Sequence, residues 1–284
     1  MPFALIGFFL AYYKITHNDY LPSAWSHYAP FNLNFGVWFL LFLILLCMIF
    51  ARSAAMAFNR YIDEKFDKLN PRTAVREIPA GIIKKENALL FVIINCVLFI
   101  ATTFFINKIC FFLSPVALFT ILFYSYTKRF TPLCHLVLGV GLSLAPIGAY
   151  LAITGVFDLL PILFSFVVLT WVSGFDILYA LQDEEFDREH NLKSIPVLLG
   201  RKNALLVSIL LHLITAIIII VIGYVGIYNI VYWIGALLFI GLLIYQHTLV
   251  KPSDITKVNM AFATTNGIAS VVFAIFVIVS LFLQ

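Results

Sequence analysis

The sequence predicts an all-α integral membrane protein: a nine-transmembrane-helix bundle of two related four-helix halves plus an N-terminal helix. Composition is the first observation, because 63% of the 284 residues are hydrophobic and only 11% are charged. Soluble domains are nearer half apolar and a quarter charged, so an aqueous globular protein and a disordered chain are both excluded. Length is the second observation, since a chain of this size holds about nine spans of ~20 residues with their loops.

Nine apolar runs define the helices in chain order. These runs are apolar on all sides, so hydrophobic periodicity cannot separate helix from strand, and their length decides for helix. The predicted helices cover residues 2–13, 36–58, 86–107, 109–125, 133–154, 157–181, 203–226, 228–249 and 258–282.

The basic residues give the orientation. Fifteen of the eighteen Lys and Arg residues lie in the connections that follow the second, fourth, sixth and eighth runs. The connections on the other side hold only Lys14 and Lys108, and the remaining basic residue, Arg52, lies inside the second run. Loops rich in Lys and Arg stay in the cytoplasm, so the fifteen-charge side is predicted to be cytoplasmic.

Two acidic windows repeat each other. Eleven of the fourteen acidic residues fall within residues 63–86 and 176–189. Three short patterns recur in the same order: Asp63-x-x-x-Asp67 with Asp183-x-x-x-Asp187, Ile78-Pro79 with Ile195-Pro196, and Asn87-Ala88-Leu89-Leu90 with Asn203-Ala204-Leu205-Leu206. The simplest account is one polytopic membrane domain, residues 1–284, with an internal repeat at approximately 36–154 and 157–282.

The acidic residues predict a metal site at the cytoplasmic ends of two helices. Residues four apart share one helix face. One oxygen-rich stripe therefore holds Asn59, Asp63 and Asp67, and the other holds Asp176, Asp183 and Asp187. Carboxylates without a histidine or cysteine pattern suit Mg²⁺, which also takes substrate phosphates as ligands. The interleaved Arg72 and Arg76 suit a diphosphate. A solvated charged loop would explain one such motif, but not two in register.

These segments resemble the UbiA superfamily of intramembrane prenyltransferases. The resemblance is carried by Asn59-Arg60-x-x-Asp63-x-x-x-Asp67, by Asn70-Pro71-Arg72-Thr73 with Arg76, by Tyr124-Ser125-Tyr126-Thr127-Lys128-Arg129, and by Tyr179-Ala180-Leu181-Gln182-Asp183-x-x-x-Asp187. It implies a nine-helix bundle that uses Mg²⁺ to transfer a polyprenyl chain from its diphosphate to an acceptor. It also implies a lipid-embedded enzyme of the bacterial inner membrane that takes no nucleic acid.

The resemblance assigns roles to individual residues. Four aspartates would be catalytic and would bind Mg²⁺ with help from Asn59: Asp63, Asp67, Asp183 and Asp187. Arg76 and Lys128 match positions that hold the diphosphate, with Arg72 assisting. Tyr124 is similar to a tyrosine near the reacting centre, although an interfacial belt tyrosine is an equally good explanation. Asp176 lies close to the acceptor in this picture.

Arg52 is the predicted ligand of the acceptor. It precedes Asn59 by seven residues, hence lies on the same helix face about 10 Å deeper. A lone arginine in a membrane helix costs ~2.5–3.5 kcal/mol on insertion scales, so a partner is expected. Family members with benzoate-type acceptors carry an arginine here to hold the carboxylate. Snorkelling to the interface, or pairing with Asp176, are the alternatives.

The acceptor and the function class leave alternatives open. The first choice of acceptor is 4-hydroxybenzoate, and the second is 1,4-dihydroxy-6-naphthoate of the futalosine route to menaquinone; both carry a carboxylate for Arg52. The competitor from another class is an ion-coupled transporter. Transporters gather their ionisable residues near the membrane midplane, whereas here they gather at one face.

Overall fold

The computed structural model describes residues 1–17 and 36–283, and within them it is helical with no strand. The helices are α1 (Pro2–His17), α2 (Val37–Leu69), α3 (Lys85–Ile106), α4 (Lys108–Thr127), α5 (Cys134–Thr154), α6 (Leu159–Ala180), α7 (Glu184–Glu189), α8 (Ile195–Val225), α9 (Ile230–Leu249) and α10 (Asn266–Leu281). A 3₁₀ turn at Leu181–Asp183 joins α6 to the short α7, and a π-helical turn at Met260–Thr265 leads into α10.

The all-α membrane bundle is confirmed. Eight segments of the described chain are long and apolar enough to cross a bilayer, and α1 adds a ninth apolar helix of 16 residues. A helix satisfies most of its backbone hydrogen bonds internally, which is what a lipid environment requires. The predicted first connection, over residues 18–35, lies outside the described residues.

Two helix bounds differ from those predicted by hydropathy. The second helix continues past residue 58 to Leu69, because its last turns are polar and leave the apolar layer without ending the helix. The seventh run, predicted to begin at residue 203, is preceded by a short helical turn that begins at Ile195, because the Ser194 hydroxyl accepts a hydrogen bond from Val197 N and a proline follows in the first turn. Gly200 interrupts this helix with φ 72°, a conformation that glycine adopts without a steric penalty.

The helices close into one bundle around an aromatic core. From α2 onward, long helices that follow each other in the chain pack on each other, and α1 packs against α5 and α10, so the first helix meets the last. Fully buried rings fill the middle, among them Phe8, Phe164, Tyr232 and Phe273. The contact of α1 with α5 is so close that a Cβ on Gly7 would lie 2.0 Å from the Pro146 carbonyl oxygen. Small residues allow such approaches in membrane bundles.

The end of the bundle remote from the aspartate segments is closed by a polar contact. The Lys14 ammonium of α1 pairs with Asp158, which precedes α6. Tyr150 of α5 donates to the same carboxylate at 2.9 Å. Asp158 also caps α6 by accepting from its own neighbour, Leu159 N, at 2.6 Å. Three helices are thus tied at this end, which leaves the opposite end for the acidic segments.

Candidate active site

The two acidic segments lie at the same end of the bundle. On α2 the stripe predicted from the spacing is present, and Asn59 Nδ2 donates to Asp63 Oδ2 at 3.1 Å. In the second segment Asp183 ends the 3₁₀ turn after α6, and Asp187 lies in α7. Asp67, Asp183 and Asp187 are all buried, and Asp187 is only 1% exposed. Carboxylates buried to this degree require charged or hydrogen-bonding partners.

The loop after α2 reaches across to the second segment. Arg72 donates to Asp183 through two bonds, Nε to Oδ1 at 3.1 Å and Nη2 to Oδ2 at 2.6 Å. Asn70 Nδ2 donates to the same carboxylate at 3.2 Å, and its Oδ1 accepts from the Arg72 backbone N–H at 3.0 Å. Arg72 Nη1 also donates to the Tyr179 hydroxyl at 3.0 Å. The structure therefore brings the two segments together.

The other three aspartates each have a cation of their own. Arg76 Nη1 donates to both oxygens of Asp67 at 2.9 Å. The Lys128 ammonium lies 2.8 Å from Asp187 Oδ2. Arg129 Nη2 lies 3.4 Å from Asp63 Oδ1 and donates to the Ile62 carbonyl at 2.8 Å. Each of the four carboxylates is thus paired with one cation, and the cations come from the loops that follow α2 and α4.

Lys128 is close to aspartates of both acidic segments. It contacts Asp187, and Asp183 and Asp63 are within electrostatic range of its ammonium group. Burial lowers the pKa of Lys128, but the attraction of Asp187 outweighs it and leaves the pKa above its ordinary value. This ammonium group is therefore charged at neutral pH and is close to aspartates of both segments. A group that binds an anion between the two segments needs both properties.

The donor set fits a hard divalent cation. The ligands available are carboxylate and amide oxygens, which Mg²⁺ prefers. Both oxygens of Asp187 are buried without an aligned hydrogen bond, although the Lys128 ammonium is close to one of them. Within residues 1–17 and 36–283, no three Asp, Glu, His or Cys side chains already form a metal cage. Mg²⁺ commonly binds through one or two carboxylates, water and substrate phosphates, so this arrangement suits a metal that arrives with a phosphate.

The residues predicted to bind the acceptor are placed less tightly together. The Tyr124 hydroxyl is within electrostatic range of Asp176, Asp63 and Arg76. Asp176 Oδ2 lies 2.7 Å from His135 Nδ1. The alternative pairing of Arg52 with Asp176 is not found. Arg52 is exposed, and no acid of the described chain contacts it.

Four residues join the site although the sequence patterns did not assign them roles: Asn70, Arg129, His135 and Tyr179. Three of them lie within the motif strings, where position beside a predicted ligand was the available signal. The sequence gives no indication of the role of His135, because a single histidine in an apolar helix looks the same in the sequence whichever residue it contacts.

A pair of glutamate clamps repeats between the two segments. Glu64 follows Asp63 and lies 2.8 Å from both Lys68 and Lys85. Glu184 follows Asp183 and lies 2.7 Å from both Arg188 and Arg201. Each glutamate therefore joins a cation four residues ahead to a cation two residues before the repeated Asn-Ala-Leu-Leu string. The internal repeat stays a prediction, and these matched contacts agree with it.

Comparison with known proteins gives the family. The model of the UbiA prenyltransferase family matches residues 20–282. A 4-hydroxybenzoate octaprenyltransferase of Tolumonas auensis is 32% identical over 237 residues, which cover 83% of this chain and 82% of that protein. The apo structure of a UbiA homolog from Aeropyrum pernix K1 superposes with a TM-score of 0.78 at 26% identity, covering 99% of this chain and 96% of that one.

A second solved structure shares the fold. It is a UbiA homolog from Archaeoglobus fulgidus bound to DMAPP and Mg²⁺, with a TM-score of 0.67 and 20% identity over 100% of this chain and 97% of that one. Because the family match extends over most of the chain and the identity to a relative reaches 32%, this protein belongs to the UbiA prenyltransferase family, and it is a membrane-embedded prenyltransferase.

Proposed function

We propose that the protein transfers a polyprenyl group from polyprenyl diphosphate to an aromatic carboxylate that is a quinone precursor, with 4-hydroxybenzoate as the acceptor. The observation that carries the proposal is the cluster of four aspartates, three of them buried, that are each paired with a cation at one end of the bundle. The acceptor is supported by the 4-hydroxybenzoate octaprenyltransferase of Tolumonas auensis, which aligns over most of both chains.

The first step is ionisation of the prenyl diphosphate. Asp63, Asp67, Asp183 and Asp187, assisted by Asn59, would hold Mg²⁺, which when bound stabilises the charge that develops on the leaving diphosphate. Arg72, Arg76 and Lys128 would hold the diphosphate oxygens. Their present partners are carboxylates, which present the same kind of anionic acceptor oxygens, so the same side-chain geometry can bind either anion.

The second step joins the allylic carbon to the aromatic ring. Arg52 would hold the acceptor's carboxylate with its planar guanidinium, which no described acid occupies. Tyr124 is within electrostatic range of both Asp63 and Asp176, which supports a place for it beside the reacting carbons. A 1,4-dihydroxy-6-naphthoate acceptor would use the same arginine, so the two acids must be compared directly.

We also infer the setting of the site. A bilayer surrounds the eight apolar spans, and the polyprenyl chain of the donor dissolves in that layer. The side rich in Lys and Arg carries the aspartate cluster, so the site faces the cytoplasm at the bacterial inner membrane. An ion-coupled transporter is disfavoured, because the acidic groups lie at one end of the bundle rather than near its middle.

One experiment tests the proposal. The purified protein in liposomes is incubated with Mg²⁺, prenyl diphosphates of several lengths, and either 4-hydroxybenzoate or 1,4-dihydroxy-6-naphthoate, and products are identified by mass spectrometry. The expected product is 4-hydroxybenzoate that has gained one prenyl group and lost one hydrogen. Asp183→Asn is the inactive control. Transport of either substrate without any prenylated product would contradict the proposal.

A further inference from the structure

We propose that His135 is a positioning residue for prenyl transfer: it holds Asp176 so that this carboxylate accepts the proton that the aromatic ring loses. The inference rests on the proposed function and deepens it, because it assigns the proton acceptor for that reaction. It stands on the short contact between His135 Nδ1 and Asp176 Oδ2, 2.7 Å, between two helices of the bundle.

The hydrogen bonds of His135 fix which nitrogen carries the proton. The Ile195 backbone N–H can only donate, and it points at His135 Nε2 over 3.4 Å. Nε2 must therefore accept, so we assign the proton of the neutral ring to Nδ1, where it is donated to Asp176. A bond from a neutral donor to an ionised carboxylate is stronger than one between neutral groups.

His135 is held by contacts of its ring and its backbone to two other helices. His135 is 2% exposed and lies in the first turn of α5. Ser173 Oγ of α6 donates to the His135 carbonyl at 3.1 Å, one turn before Asp176. Ile195 is the first residue of α8, directly after the capping Ser194. His135 thus links α5, α6 and α8, which orients its ring toward Asp176.

Asp176 presents one free oxygen to the site. Its Oδ2 is taken by His135, whereas Oδ1 has no hydrogen-bond partner within the described chain and the side chain is 23% exposed. It also differs from the four aspartates of the cluster, because no Arg or Lys of the described residues contacts it. Asp176 precedes Asp183 by seven residues on the same helix face, about 10 Å deeper than the predicted metal ligands.

The reaction needs a proton acceptor at that depth. A carbon of the acceptor ring forms a bond to the allylic carbon of the donor, and the bond between the allylic carbon and the diphosphate oxygen breaks. The attacked ring carbon then loses its hydrogen as a proton while the electron pair of the C–H bond restores aromaticity. The free oxygen of Asp176 takes this proton, and His135 retains its own proton and keeps the carboxylate oriented.

The test compares substitutions of His135 that keep or remove the donor. His135→Leu removes it, His135→Asn keeps an amide N–H near the place of Nδ1, and His135→Gln moves that amide to the place of Nε2. We expect kcat to fall about ten- to a hundredfold in His135→Leu and His135→Gln, and to recover largely in His135→Asn, since losing an orienting hydrogen bond behind a functional group has effects of this size. The affinity for prenyl diphosphate with Mg²⁺, measured by calorimetry, should not change.

Deuterium on the acceptor ring gives a kinetic isotope effect on kcat, which would not change if His135 had only a structural role. If proton removal becomes slow, His135→Leu and His135→Gln acquire a primary isotope effect on kcat that the wild type and His135→Asn lack. His212→Leu, which removes another buried membrane histidine, is the control and should cost stability without an isotope effect. An unchanged kcat and isotope effect in both His135→Leu and His135→Gln, or equal activity of His135→Asn and His135→Gln, would overturn the inference.

The two proposals can fail separately in this experiment. Product formation by the wild type tests the proposed function, whereas the ratios among the His135 variants test the role of this histidine. Thermal unfolding of each variant, measured in the same detergent, separates lost folding from lost chemistry. A uniform rise of both KM values with a lowered Tm would assign His135 to packing and contradict the inference.

Discussion

Arg72 holds Asp183 across the bundle through two bonds, from Nε to Oδ1 at 3.1 Å and from Nη2 to Oδ2 at 2.6 Å. The two residues are 111 positions apart in the chain, and they belong to the two different acidic segments. A ligand that binds between the two segments must therefore either leave the bonds between Arg72 and Asp183 in place or replace them. The geometry of one segment depends on a side chain supplied by the other.

Replacing Arg72 is expected to weaken donor binding. In Arg72→Ala the Kd of prenyl diphosphate with Mg²⁺, measured by calorimetry, should rise about ten- to a hundredfold, since a charge-assisted bond contributes ~1.5–3 kcal/mol. Arg72→Lys should recover only part, because lysine lacks the planar fork. Arg188→Lys, at an exposed arginine of α7, is the matched control with unchanged Kd. Full affinity in Arg72→Lys would argue against two-point binding of the diphosphate.

Both aspartate pairs are expected to be essential with Mg²⁺. Asp63→Asn and Asp183→Asn should each cut turnover by orders of magnitude, because each removes a carboxylate on which the metal-bound leaving group relies. Asp254→Asn, in an exposed loop, is the control and should retain full activity. EDTA should abolish turnover, and added Mg²⁺ should restore it. Turnover that survives EDTA, or near-normal rates in either variant, would exclude the metal-assisted mechanism.

The fold could be predicted from the sequence because it depends on averages over many residues. The length of each apolar run gives the spans, and the spacing of four residues gives the carboxylate stripe on α2. Hydropathy placed the start of the seventh predicted helix at residue 203 and missed the short helical turn before Gly200, which the Ser194 cap starts at Ile195. Capping is a local chemical signal, and the apolar average does not contain it.

The partners within the site could not be predicted in the same way. Spacing along one helix shows which residues share a face, but not which residue of another helix meets that face. Arg52 was therefore as good a candidate partner for Asp176 as any other polar residue of the membrane layer. The structure gives that place to His135, which lies 41 positions before Asp176 and on a different helix. Pairings of this kind depend on how the helices pack.

The glutamate clamps are expected to stabilise the two segments unequally. Glu184 has 8% of its side chain exposed and Glu64 has 17%, so removing the charge of Glu184 leaves two cations with less access to water. Glu184→Gln should therefore lower Tm more than Glu64→Gln, with a loss of about 1–3 kcal/mol for the more buried group. The double exchange Glu184→Arg with Arg201→Glu should recover part of the loss. A larger effect at Glu64 would contradict this order.

The orientation of the bundle can be checked by labelling. Lys68→Cys and Lys193→Cys should react with a membrane-impermeant maleimide only from the cytoplasmic side, because both lie on the side rich in basic residues. Tyr228→Cys, between α8 and α9, should react from the opposite side. The four natural cysteines are buried or half-buried, so the unmodified protein gives the background. Labelling of residue 68 or 193 from the periplasmic side would reverse the topology.

The Arg52 substitution tests how the acceptor is recognised. If Arg52 holds the carboxylate, Arg52→Ala should raise the KM for the aromatic acid about ten- to a hundredfold, the cost of a lost charge-assisted pair. The KM for prenyl diphosphate should hardly change, because this side chain lies about 10 Å deeper than Asn59, beyond the predicted metal ligands. In Arg52→Lys the KM for the aromatic acid should return only part of the way to the wild-type value, because lysine lacks the planar guanidinium.

The same variant separates recognition from structure. Arg52 is exposed, and no described acid contacts it, so Tm should not change in Arg52→Ala. A neutral analogue of the acceptor, the carboxamide, should have similar KM values for the wild type and for Arg52→Ala, because it carries no charge for the guanidinium to bind. Equal increases of both KM values together with a lowered Tm would show that Arg52 supports the bundle rather than the acceptor.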